Sequence, residues 1–447
     1  MPEIVAERTS EQQACDWLLI LFPVALLTSL ALSEILSVLS LVFVGYITVR
    51  TNNRWLLLRA TPSFWYPIIA AGAFSIFCMV PLTAQGILSS AFLDELRSLR
   101  WLLFWVFLSL VFGQTGRMSH SVMLRMLSVS ICLLSIYGCI QFWFGIDFLG
   151  REEGLHTSGE RFRASGTFSL PQSYSGVLGI LTFLLLPLGI SRLVSGEDVS
   201  HPKSVLPIIA VALGLVGVFC SGTRGAYLGM VLTFVLALFM LVLHRELSVR
   251  NAFWLFCVSL GGTIIVVSQL DTGFLEKVTF SGAEPDQSLI IRLPLWEAYL
   301  TMVTEQPWTG YGAGISSSYL PIYYEQIGAA DATFIGHSHN NYLQAWVDGG
   351  VGAFFAYLVL ILSMLRITFR RIAQATNRQY VLLFMGMFLA QIYFHVAGIT
   401  ESNFIDIKVN HALIFIWALV LGSEAWISEV TPLLNLNPQR SPTDTHA

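Results

Sequence analysis

Residues 226–243 read AYLGMVLTFVLALFMLVL, without one charged side chain from end to end. A helix needs roughly 20 mostly apolar residues, within a range of about 17 to 25, to cross the hydrocarbon of a bilayer. This run meets that requirement. The composition around it agrees: of 447 residues, 55% are hydrophobic and 12% charged, and the mean hydropathy is +0.68. A soluble domain carries about 25% charged residues, so the chain reads as an integral membrane protein.

Outward from that run, eleven further segments qualify. Trp17–Ser33 and Ile35–Val49 predict a hairpin broken at Glu34, followed by Phe64–Leu82, Trp101–Phe112 and Val122–Phe144. Tyr174–Leu193, Val205–Cys220 and Ala252–Leu270 flank the first run; beyond a long polar stretch lie Val351–Ile367, Tyr380–Ile399 and Ala412–Ile427. The expected fold class is all-α, a polytopic membrane protein with about 12 transmembrane helices and one long periplasmic loop. Its expected divisions are 1–270 (membrane helices), 271–350 (the loop), 351–430 (membrane helices) and 431–447 (a disordered cytoplasmic tail). Pro2 to Asp16 is polar and acidic instead of a basic n-region with a cleavage site, so no removable signal peptide is expected. The six cysteines fall in or beside apolar runs, with neither metal-ligand spacing nor a disulfide framework, and read as small core residues.

Orientation follows from the basic residues. With the N-terminus in the cytoplasm, one set of loops collects fifteen of the 24 lysines and arginines, among them Arg50, Arg245, Arg366, Arg370 and Arg371. The other collects nine. Both termini are then inside, and the long polar stretch faces the periplasm.

That stretch, Ser281 to Gly350, is where chemistry is expected, and His337-Ser338-His339-Asn340-Asn341-Tyr342-Leu343-Gln344 is its centre. Arg292 precedes Trp296 by four residues, so a helix would place both on one face. Arg224 stands in Ser221-Gly222-Thr223-Arg224-Gly225, and Arg161 and Arg163 lie just before Pro171. Each alone has a bland explanation, pairing with Glu152, Glu153, Glu160 or Glu297 or with lipid headgroups. Four on one side with two histidines point to an anion such as a pyrophosphate, whose oxygens guanidinium forks match. His337 and His339 are too close together for one helical face but suit a loop, where neutral imidazole could act as a general base with its ordinary pKa near 6.5. No third ligand or acidic cluster suggests a metal, and no cofactor is expected. Gly310-Tyr311-Gly312-Ala313-Gly314 follows no strand, so nucleotide binding is set aside, and no nucleic-acid partner is expected. His395 lies inside an apolar helix and reads as a packing residue.

Pro307-Trp308-Thr309-Gly310-Tyr311-Gly312, His339-Asn340-Asn341-Tyr342-Leu343-Gln344 and the Ser221–Gly225 turn, on this topology, resemble the O-antigen ligase and O-antigen polymerase superfamily. The resemblance implies a metal-independent glycosyltransferase that moves a glycan from undecaprenyl pyrophosphate to an acceptor hydroxyl, on lipid A-core in a ligase, at the outer face of the inner membrane. It places the leaving group on Arg163, Arg224 and Arg292, with Arg161 nearby, and makes His339, failing that His337, the base. Trp296, Asn340, Tyr342 and the aromatic residues of the loop would meet the sugars or be the loop's own core. Ala84–Arg100 and Gly145–Pro171 are short, which favours a ligase over a polymerase, since the resemblance implies two large outer loops for the latter. A protein O-oligosaccharyltransferase of the same superfamily, a small-anion transporter and a scaffold remain as other readings.

Overall fold

A helix satisfies every backbone hydrogen bond inside its own segment, which a bilayer requires of any chain crossing it. The runs read from the sequence accordingly become helices. The computed structural model describes residues 9–50, 61–86, 89–151, 157–158, 161–195, 202–268 and 287–427. In chain order the helices are α1 (Ser10–Thr28), α2 (Leu30–Arg50), α3 (Pro62–Met79), α4 (Ser90–Ser98), α5 (Arg100–Phe112) and α6 (Arg117–Phe144), then α7 (Pro171–Val194), α8 (Pro202–Cys220), α9 (Arg224–Leu243) and α10 (Val249–Ser268). The later ones are α11 (Gln287–Glu305), α12 (Leu320–Gln326), α13 (Asn341–Gln374), α14 (Arg378–Ala397) and α15 (Ile407–Gly422). A two-residue strand pair, Thr157–Ser158 against Arg161–Phe162, is the β-structure among the described residues. Among the described residues, seven helices are long and apolar enough to cross a membrane, and three shorter apolar ones accompany them. The protein is a polytopic all-α membrane protein.

The helices run up and down, and ion pairs tie their ends. At one end Arg100, opening α5, holds Glu34 at 2.9 Å, and Ser173, opening α7, donates to Asp406 before α15. At the other, Arg378 pairs with Glu246 at 2.8 Å and Arg371 with Glu424 at 3.2 Å. α7, α14 and α15 form the centre, α7 being buried over most of its length. A helix apolar all round belongs there. Tyr393 of α14 stacks on Phe183 of α7 and donates its hydroxyl to Ser175 O at 2.9 Å. Exposed Ile69, Leu133, Val231, Phe239 and Leu362 face outward from the bundle, an apolar belt suited to lipid.

Two expectations need correction. The first hairpin breaks at Ser29, which is extended (φ −156°, ψ 125°) and whose hydroxyl accepts from Leu32 N, not at Glu34. Glu34 stays inside α2 because Arg100 neutralises it. The stretch expected as one loop is largely helical: α11, a 3-10 turn at Ser316–Tyr319 and α12 build their own core from Leu295, Tyr299, Met302, Leu320, Tyr323 and Tyr324. Residues 269–286 and the tail 431–447 lie outside the described residues.

α13 is interrupted at Gly349 (φ −132°) and Gly350 (φ 66°). The freed carbonyls of Val347 and Asp348 accept from Tyr311 N and Gly312 N, both at 2.8 Å, and Val351 N donates to Pro307 O at 2.8 Å. A Cβ on Gly350 would stand 2.2 Å from Trp308 O. The glycine-rich run 310–314 is therefore a clamp on the broken helix, which fixes α13's first turns against α11.

Candidate active site

The turn before α13 carries the two histidines, and side chains from three elements hold it. Asn340 caps α13, its Oδ1 accepting from Tyr342 N (2.9 Å) and Leu343 N (3.0 Å). Gln344 Oε1 accepts from Ser338 N at 2.7 Å, and Trp296 of α11 donates to Ser338 O at 2.8 Å. Asn340 N donates to Ser402 Oγ, and Asn341 N to Gly398 O, so the turn is also tied to the 398–406 loop. Held this way, His339 adopts φ 51°, a left-handed conformation that costs a non-glycine residue about 1–2 kcal/mol.

His339 Nδ1 lies 3.2 Å from Glu401 Oε2, and Arg292 Nη2 donates to Glu401 Oε1 at 2.7 Å. Burial pushes Glu401 up, but the His339 hydrogen bond and the Arg292 charge outweigh it and hold the carboxyl below its usual range. An ionised carboxylate only accepts, so Nδ1 carries a proton, and in the neutral ring the lone pair lies on Nε2. His337 stands beside it, ring centroids 4.4 Å apart. Burial, and then the His339 charge, push the His337 imidazole down to about 4. Its Nδ1 faces His339 N at 3.4 Å, so the neutral ring carries its proton on Nε2. The two histidines thus differ: one offers a lone pair, the other an N–H.

The arginines approach from the Glu401 side. Arg163 Nε donates to Ser221 O at 2.9 Å and Nη2 to Thr223 Oγ1 at 3.2 Å. Its loop is pinned by Ala164 N on Cys220 O and by Gln141 Oε1, which accepts from Ser165 N and Gly166 N. Burial lowers the Arg163 pKa; the Tyr227 and Glu401 charges raise it, and Arg224 and Arg292 lower it again, so all three guanidiniums share one electrostatic neighbourhood. Arg224 opens α9, whose N-cap Thr223 makes no side-chain capping bond. A Cβ on the next residue, Gly225, would stand 2.3 Å from Thr400 Oγ1 and 3.2 Å from Glu401 Cγ. Glycine there lets α9's N-terminus, the positive end of its dipole, abut the Glu401 loop. Three guanidiniums and a helix N-terminus can neutralise a dianionic diphosphate.

On the other side of the histidines lies a cavity of about 600 Å³. His337, Gln344, Asp348 and Tyr299 line it, with Phe74, Trp101 and residues of α4 opposite. None of Arg163, Arg224 or Arg292 lines it.

The structure therefore gathers His337, His339, Arg163, Arg224, Arg292 and Trp296. Arg161 forms the short β pairing with Ser158, its side chain being outside the description. Asn340 is engaged as a cap, and the Tyr342 hydroxyl donates to His395 O at 3.1 Å. Of the loop aromatics, Tyr311, Tyr323 and Tyr324 are core, with Tyr311 and Tyr323 hydroxyls 2.5 Å apart, whereas Trp308 is exposed. His395 is buried in α14 with its ring nitrogens unpartnered among the described residues. Among the described residues no group of three His, Cys, Asp or Glu side chains is arranged for a metal. Sequence reasoning missed Glu401: Arg292 pairs with it and not with Glu297, which is exposed. The available signal was the polar break Thr400-Glu401-Ser402-Asn403 between two apolar runs at the site end.

The O-Antigen ligase family model matches residues 209–358. That stretch runs from within α8 to within α13 and contains Arg224, Arg292, His337 and His339, while Arg163 and Glu401 lie outside it. The resemblance to the O-antigen ligase superfamily holds over this segment. An uncharacterized protein of Haemophilus influenzae (strain ATCC 51907 / DSM 11121 / KW20 / Rd) is 24% identical over 180 residues, 36% of this chain and 43% of the relative. The chain thus matches less than half of that relative's length.

Proposed function

We propose that this O-antigen ligase-like protein transfers a glycan from undecaprenyl pyrophosphate to an acceptor hydroxyl, on lipid A-core, at the periplasmic face of the bacterial inner membrane. The observation that carries the reading is the Arg292–Glu401–His339 bridge, set beside Arg163, Arg224 and the α9 N-terminus. His339 Nε2 takes the proton of the acceptor hydroxyl. The hydroxyl oxygen bonds to the anomeric carbon, and the bond from that carbon to the pyrophosphate oxygen breaks. Glu401 steadies the imidazolium that forms, as an orienting carboxylate does for a histidine base. The lipid pyrophosphate leaves on the guanidiniums, which supply the charge neutralisation without a metal ion. His337 donates its Nε2–H toward the acceptor and is the second candidate for the base, since it lines the cavity.

The site end then faces the periplasm, the basic end with Arg366, Arg370 and Arg371 faces the cytoplasm, and the chain crosses twelve times when α1 and the short α5 are counted. Deletion of the gene tests the acceptor. A lost lipopolysaccharide ladder, with long polymer still on the lipid carrier, supports a ligase. A core bearing a single repeat unit makes the protein a polymerase, and an unchanged ladder with a lost pilin modification makes it a protein O-oligosaccharyltransferase. If none of these glycans changes, the transfer reading fails and small-anion transport becomes the reading to test.

A further inference from the structure

The two sides of the histidine turn differ in charge, and the difference constrains the acceptor. The arginine side is cationic. The cavity side looks basic as well, since Arg97 and Arg100 line it, but both are already committed: Arg97 to Asp94 at 2.8 Å and Arg100 to Glu34 at 2.9 Å. What remains toward the cavity are acidic side chains. Asp348 is buried, with one oxygen held by Gln344 Nε2 at 2.9 Å, and Glu95 on α4 is paired with no cation among the described residues. Apolar faces complete the wall, with the Trp101 and Phe404 rings 5.5 Å apart and Phe74 against Phe404 at 5.8 Å. A volume of about 600 Å³ falls within the range of pockets that take small organic ligands. Aromatic faces fit the C–H faces of a pyranose, and carboxylate and amide oxygens accept from its hydroxyls.

We propose that this cavity holds the acceptor and selects an uncharged, hydroxylated sugar end over the same sugar carrying phosphate. This rests on the transfer reading above. An anionic acceptor would bring its charge toward Glu95, where Arg97 and Arg100 are already set against Asp94 and Glu34, while the donor's pyrophosphate is drawn to the opposite side. The same partition keeps the two substrates from exchanging places. Glu95 is a binding residue in this account: it accepts from an acceptor hydroxyl and takes no part in proton transfer.

The test uses the full chain in lipid nanodiscs with an undecaprenyl pyrophosphate-linked glycan as donor. Two acceptors are compared, one oligosaccharide with and without a phosphate on its terminal sugar. The neutral acceptor should show a kcat/KM about tenfold or more above its phosphorylated form. Glu95→Lys should narrow or reverse that ratio, and Glu95→Gln should raise the acceptor KM while leaving the donor KM unchanged. Equal use of the two acceptors, or preference for the phosphorylated one, overturns the proposal while leaving the transfer reading standing. If no acceptor is glycosylated, the transfer reading fails, and calorimetric titration of the free oligosaccharides decides the cavity alone. Neutral sugar binding that is lost in Ser98→Trp, a side chain built into the cavity wall, then supports the proposal. Absence of that binding, or equal binding of the phosphorylated sugar, overturns it.

Discussion

Glu401→Gln removes one charge and almost no volume from a side chain whose two oxygens serve two partners. Arg292 and Glu401 are 17% and 7% exposed and meet at 2.7 Å. Removing a partner from a fully buried pair costs about 3–5 kcal/mol. Here glutamine still accepts from Arg292, and water reaches the guanidinium, so the expected loss of stability is smaller, about 1.5–3 kcal/mol, the worth of one charged hydrogen bond. The larger effect falls on His339. Without a carboxylate on Nδ1, neither the tautomer nor the ring orientation is fixed, and the imidazolium loses its counter-charge. General-base catalysis contributes about 10²–10⁴ in rate, so turnover should drop by that order, with Glu401→Asp retaining part of it. The assay pairs initial transfer rates in nanodiscs with thermal unfolding, so that a misfolded variant is recognised. A folded Glu401→Gln protein with wild-type kcat refutes the reasoning. A raised donor KM with unchanged kcat would confine Glu401 to holding Arg292.

Other outcomes follow from the same geometry. Arg163→Lys cannot keep both the Ser221 and Thr223 contacts, so donor KM should rise by about tenfold or more; normal kinetics for lysine at 163, 224 and 292 together would reduce these residues to generic charges. Activity should survive EDTA, and inhibition reversed by Mg²⁺ would show that the guanidiniums are not the neutralising device. His337 titrates near 4 in the folded protein and near 6.5 when unfolded. As pH falls through that window the unfolded chain takes a proton that the folded protein refuses, and stability drops, by about 3 kcal/mol at most. His337→Asn should flatten the profile in unfolding titrations, and an unchanged profile would contradict the burial of that imidazole. In a background without the six native cysteines, Ala329→Cys should react with an impermeant maleimide on intact spheroplasts and Ser248→Cys should not; the reverse pattern inverts the orientation.

Helices were legible wherever one local property decided them. α9 could be read from an uninterrupted apolar run, and Arg292 and Trp296 share a working face because four residues make about one helical turn. The hairpin break was misread because a charge inside an apolar run usually marks an end, and the neutralising Arg100 is 66 residues away in sequence. Glu401 was hidden for the same reason, lying 109 residues from Arg292. No periodicity reports a partner at that distance. The glycine run 310–314 was set aside as a nucleotide loop because it follows no strand, yet its use as a clamp depends on a break in α13 that the pattern of residues 341–374 does not announce.

The central claim is that His339, oriented by Glu401, moves a lipid-linked glycan onto an acceptor while the arginines take the pyrophosphate. The most direct measurement incubates the purified protein with the lipid-linked glycan and acceptor in the presence of EDTA and quantifies both products. The account predicts glycosylated acceptor and free lipid pyrophosphate in equal amounts, with turnover abolished in a folded His339→Ala variant and only reduced in His337→Ala. Wild-type turnover by His339→Ala would contradict it.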